Sequence, residues 1–115
     1  MHPNRYKPDR LMQIITASEL KPLLDRAAVT LLDVRLPEEI ETASLPGAVT
    51  IPLHELPQRF AELPSDKPVV AICHHGVRSQ TAARFLERNG YGEVLSLAGG
   101  IDAWSLDVDA SVPRY

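Results

Sequence analysis

The chain has one cysteine in 115 residues. No internal disulfide can form, and the thiol is left free, the state that a reducing compartment maintains. Excess basic charge is missing: 12 Lys and Arg stand against 15 Asp and Glu, a net charge of −3. That gives no electrostatic case for nucleic acid or an anionic membrane surface. No apolar run approaches the roughly 20 residues that span a bilayer, and the opening Met1-His2-Pro3-Asn4-Arg5-Tyr6 leads into no hydrophobic signal region. A cytoplasmic location is expected. Internal repeats and low-complexity segments are also lacking. The length suits one domain and not two.

What is present centres on Ala71-Ile72-Cys73-His74-His75-Gly76-Val77-Arg78-Ser79. The preceding Val69-Val70-Ala71-Ile72 is short, apolar and β-branched, as in a buried strand. From Val77 the pattern turns helical, with Ala82, Ala83, Phe85 and Leu86 apolar, and Asn89-Gly90 supplies a left-handed stop. Cys73 therefore falls on a strand-to-helix turn, where sites form in open α/β sheets. Unpaired N–H groups at a helix N-terminus stabilise a thiolate placed there. Gly76 lets the loop curl so that N–H groups point inward, and Arg78 adds a permanent charge five positions after the cysteine. The pattern is an anion pocket with a nucleophilic sulfur at its floor.

The loop resembles the active-site loop of the rhodanese family, the single-domain sulfurtransferases. There a six-residue loop begins with the nucleophilic cysteine, and Cys73-His74-His75-Gly76-Val77-Arg78 fits it. Leu31-Leu32-Asp33-Val34-Arg35, Pro37-Glu38-Glu39 and Leu45-Pro46-Gly47-Ala48-Val49-Thr50-Ile51-Pro52 are similar to the family's first half. Leu97-Ala98-Gly99-Gly100-Ile101-Asp102-Ala103-Trp104 is similar to its closing signature. Where the family usually has Gly-His-Ile, this chain reads Ala43-Ser44-Leu45.

Strands alternating with helices predict a three-layer α/β/α sandwich around a mostly parallel sheet of about five strands. The resemblance implies the rhodanese-like topology. Expected in order are a flexible arm over 1–11, the domain over 12–105 and an extended tail over 106–115. Within the domain, a strand ends at Ile15 and a helix follows, with Thr16 and Ser18 both suited to its N-cap and Glu19, three after Thr16, as a capping-box partner. Strands are expected over 29–34, 48–51 and 93–97. Pro37 opens a short helix, Pro46-Gly47 makes a type II turn, 54–63 forms one helix, and Gly99-Gly100 turns into a short segment ending at Trp104.

His74 and His75, being adjacent on a loop, are expected to point different ways and line the pocket mouth. With no second cysteine or carboxylate set at ligand spacing, no metal is expected. Arg78 in a first helical turn opposes the helix dipole, which makes sense with an anion between them. Ser79 reads as a helix-start residue. Asp33, Arg35 and Glu39 read as a structural ion pair, Arg35 with Glu39 or Asp33, and Trp104 as a packing anchor.

The resemblance implies a thiosulfate sulfurtransferase. Catalytic Cys73 would take a sulfane sulfur from a small anionic donor held by His74, His75, Gly76, Val77 and Arg78. The persulfide would pass it to cyanide or a thiol, which can be a protein thiol, with no cofactor. Two alternatives are a persulfide carrier serving a partner protein and a non-catalytic docking module. A third is a phosphatase or arsenate reductase. Those enzymes carry Cys-x5-Arg, whereas four residues separate Cys73 from Arg78 and Ser79 stands at the rival arginine's place.

Overall fold

The computed structural model describes residues 13–115. The arm expected over 1–11 lies outside the described residues, as does Met12. The strands are β1 (Gln13–Ile15), β2 (Thr30–Asp33), β3 (Val49–Thr50), β4 (Val69–Ile72) and β5 (Val94–Leu97). The α-helices are α1 (Ala17–Asp25), α2 (Pro37–Thr42), α3 (Leu56–Arg59), α4 (Val77–Arg88) and α5 (Gly100–Asp107). All strand pairs are parallel, in the order β1-β5-β4-β2-β3. The strand that leads to the cysteine is therefore the central one.

Each face of the sheet carries its own core. Val70 and Ile72 of β4 join Leu20, Leu31, Leu97, Ile101 and Trp104 on one face. Val69, Ala71 and Cys73 join Leu32, Ile51, Ala82, Ala83 and Leu86 on the other. The alternation along β4 is the two-residue period of a strand, and its fully apolar sequence is what burial on both faces requires. It also places the Cys73 side chain on the face that α4 covers.

Local signals explain most boundaries. Thr16 caps α1 by accepting from the Glu19 N–H while Glu19 accepts from the Thr16 N–H, both near 3 Å. Gly90, at φ +97°, ends the α4 segment, and Gly47, at φ +80°, occupies the turn position that favours glycine. The chain departs from expectation in three places. The single helix expected over 54–63 is broken into a 3-10 turn (Leu53–Glu55), the short α3 and a second 3-10 turn (Phe60–Glu62). Pro57 lacks the N–H that a continuous ladder would bond to the Leu53 carbonyl, and Pro64 cannot extend the ladder past Leu63. The Tyr91 hydroxyl lies 2.8 Å from the Phe60 carbonyl and 2.7 Å from the Leu63 carbonyl and donates to them. The strand expected over 48–51 shrinks to its two paired residues.

The third departure is a correction. The segment 106–115 is not an extended tail: α5 continues to Asp107, and the chain then folds back. Val112 is buried, and its carbonyl accepts from Ser105 Oγ at 2.8 Å. Arg114 pairs with Asp102, and Tyr115 reaches the cysteine loop. Val112 supplies the apolar anchor that makes this return favourable.

Candidate active site

Cys73 follows β4 directly, and Gly76 caps the start of α4 at φ +105°. A Cβ on Gly76 would lie 3.2 Å from both Gly99 N and Leu97 O, so glycine suits the position twice over, by conformation and by space. The loop is also pinned from behind. The Ile101 and Asp102 N–H groups at the start of α5 donate to the carbonyls of Cys73 and His74, at 2.9 and 3.2 Å. Gly100 makes that approach possible, because a Cβ there would overlap both carbonyls.

The sulfur sits in a shell of donors. Cys73 is 1% exposed. The Gly76 N–H donates to Sγ at 3.0 Å and the Ser79 N–H at 3.4 Å. Ser79 Oγ lies 3.5 Å from Sγ and 2.7 Å from Ser96 Oγ. As a thiol, Cys73 donates to Ser79. As a thiolate it accepts from the Ser79 hydroxyl, which Ser96 then supports by donating in turn. Both serines are buried. Ser79 is thus more than a helix-start residue. Ser96 was not singled out in the sequence, although a serine inside the apolar run Val94-Leu95-Ser96-Leu97 was a signal. Parallel pairing sets it opposite Ala71, just before the loop.

The histidines do not point different ways. Their rings stack at 3.8 Å and 26°, and Tyr115 stacks on His74 at 3.8 Å and 6°. The loop curls tightly enough to bring adjacent side chains together. Ligand atoms of His74, His75 and Asp102 lie within 4.8 Å of one another. Asp102 is held by Arg114 at 2.8 Å. Val77 is 75% exposed on the rim.

The Arg78 cation, expected in the pocket, forks onto Glu39, with Nη1 to Oε1 at 2.7 Å and Nη2 to Oε2 at 2.9 Å. The Arg78 hydrogen bonds hold the Glu39 carboxyl down at about 2, against the partial cost of burial. The same hydrogen bonds raise the Arg78 pKa. Arg35 takes the other expected partner. It is fully buried and binds Asp33 through Nε at 2.9 Å and Nη2 at 2.6 Å, with Nη2 also donating to the Ala43 carbonyl at 2.7 Å. Ala43 stands in the segment where the sequence departs from the family. A groove of about 300 Å³, lined by Val34, Leu36, Leu53, His54 and Arg78, opens beside this pair.

Comparison with known proteins agrees with this architecture. Residues 16–107 match the Rhodanese-like domain family. A protein named Sulfurtransferase from Allochromatium vinosum is 42% identical over 93 residues, covering 81% of this chain and 87% of that protein. Thiosulfate sulfurtransferase GlpE of Pseudoalteromonas translucida is 30% identical over 100 residues, covering 87% of this chain and 95% of its own. Among solved structures, the rhodanese-related protein from Thermoplasma volcanium superposes with a TM-score of 0.77 at 34% identity, over 84% of this chain and 93% of that one. The chain belongs to the rhodanese-like domain family.

Proposed function

We propose that this rhodanese-like chain is a sulfurtransferase that works through a persulfide on Cys73. One observation carries the proposal: a lone thiol at the floor of a strand-to-helix loop, with the N–H groups of Gly76 and Ser79 aimed at its sulfur. Such donors stabilise a thiolate, and they suit a persulfide anion that remains close to them.

With thiosulfate, the Cys73 thiolate attacks the outer sulfur. A bond forms between the two sulfurs, the bond to the sulfonate sulfur breaks, and its electron pair leaves on sulfite. Cys73 then carries a persulfide anion. Cyanide or a thiolate attacks the outer sulfur, leaving as thiocyanate or as a new persulfide, and the Cys73 thiolate returns. Every step balances with no further oxidant or reductant. Because Cys73 is the only cysteine in the chain, the persulfide is discharged by an outside acceptor. His74, His75, Gly76, Val77 and Arg78 border the donor. A free thiol nucleophile works in a reducing compartment, and the cytoplasm is the compartment proposed.

Steady-state kinetics with thiosulfate and cyanide test this. Parallel double-reciprocal lines, abolished in a folded Cys73→Ala variant, are expected. Turnover retained by Cys73→Ala would overturn the mechanism.

A further inference from the structure

Among the described residues, the arginines around the mouth of the cysteine pocket are paired: Arg78 with Glu39, Arg35 with Asp33 and Arg114 with Asp102. One uncharged side chain links two of these pairs. The Tyr115 hydroxyl accepts from Arg35 Nη1 at 2.9 Å and donates to Glu39 Oε2 at 2.9 Å. Glu39 is thereby fully engaged. Its Oε1 accepts from Arg78 Nη1 and from the Leu36 N–H, and its Oε2 accepts from Arg78 Nη2 and Tyr115. The result is a continuous chain, Asp33–Arg35–Tyr115–Glu39–Arg78, running from a fully buried ion pair to the pocket rim. The ring of Tyr115 meanwhile lies flat on His74 of the cysteine loop.

We infer that Tyr115 is a positioning residue that fixes the charge of the pocket mouth: by anchoring Glu39 to the buried Arg35 it keeps Arg78 paired, so that an anionic donor must compete with the Glu39 carboxylate for Arg78. Arg78 closes the Cys73 loop, one residue before Ser79, whose N–H faces the sulfur. Burial raises the Tyr115 phenol, so the hydroxyl keeps the proton that it gives to Glu39. Releasing the anchor lets Arg78 turn from Glu39 toward an incoming anion. The mouth then becomes more positive with no change in formal charge.

The inference rests on Cys73 as the reacting thiol but not on sulfur transfer, so its test is made without a sulfur donor. Alkylation of Cys73 by iodoacetate and by iodoacetamide, followed by intact mass, compares an anionic with a neutral reagent. The iodoacetate-to-iodoacetamide rate ratio is expected to rise about two- to threefold in Tyr115→Phe, which keeps the ring and removes only the hydroxyl. It is expected to rise about five- to tenfold in Glu39→Gln, which also removes a charge. Tyr115→Phe is isosteric, so a cooperative melt near the parent's is expected. An unchanged ratio in Tyr115→Phe would overturn the inference even if Glu39→Gln raised it. Both rates rising together at a constant ratio would also overturn it, because that marks a wider opening and not a change of charge. A protein that fails to form a persulfide yet shows the ratio shift would defeat the proposed function alone.

Discussion

At the scale of single residues, Ser79 carries the most direct prediction. Its backbone and side chain both approach the Cys73 sulfur, and its hydroxyl shares a proton with Ser96 in a buried pair. Ser79→Ala keeps the N–H and removes the hydroxyl, leaving Ser96 Oγ buried without that partner. A stability loss of about 1–2 kcal/mol is expected by chemical denaturation. Persulfide formation should slow several-fold without being lost, because the Gly76 and Ser79 N–H groups remain. A variant with parent stability and single-turnover rate would remove Ser79 from the sulfur's support. Residue type and spacing identified the cysteine and its glycine in the sequence. The partners of Arg78 and Tyr115 were not legible there, because they lie 39 and 76 or more positions away along the chain. Nothing local marks a tyrosine eight residues past the end of α5 as part of a site.

At the scale of elements, the cysteine loop is a joint between β4, α4 and the start of α5, and three glycines separate its demands. Gly90 and Gly76 have similar left-handed φ values, but a Cβ on Gly90 would meet nothing within 4 Å, whereas one on Gly76 would press on backbone atoms 3.2 Å away. Gly90→Ala is expected to cost only backbone strain, about 1–2 kcal/mol. Gly76→Ala should cost more, and it should also move the N–H that faces the sulfur. Gly100→Ala should be the most damaging of the three, because its Cβ would overlap the Cys73 and His74 carbonyls, which α5 holds in place. Thermal melts rank the series, and equal losses at all three sites would contradict the joint. The elements themselves were largely legible. β4 and the limits of α4 follow from a short β-branched run, a helical period and an Asn-Gly stop, all of them local signals. The broken stretch 53–62 was not, because the Tyr91 hydroxyl that bonds the Phe60 and Leu63 carbonyls at its end lies 28 or more positions away along the chain.

Over the whole molecule, a parallel sheet sets the C-terminal ends of β2 and β4 on one edge. Asp33 and Arg35 therefore meet the cysteine loop, and the returning segment closes over both. No helix among the described residues is long and apolar enough to cross a membrane. The relay from Asp33 to Arg78 makes stability depend on pH in a defined window. Glu39 is lowered from 4.5 to about 2, chiefly by Arg78. Its contribution is therefore complete above pH 4.5 and is lost as pH falls toward 2. Melting temperatures of the parent and Glu39→Gln should differ most above pH 4.5 and converge on acidification. A difference independent of pH across that range would mean that Glu39 acts by packing alone.

Sulfur transfer through Cys73 is tested most directly by the intact mass of the purified protein after thiosulfate, before and after cyanide. A gain of one sulfur atom is expected, removed by cyanide and absent in Cys73→Ala. No added sulfur, with Cys73 reduced and open to alkylation, would contradict it.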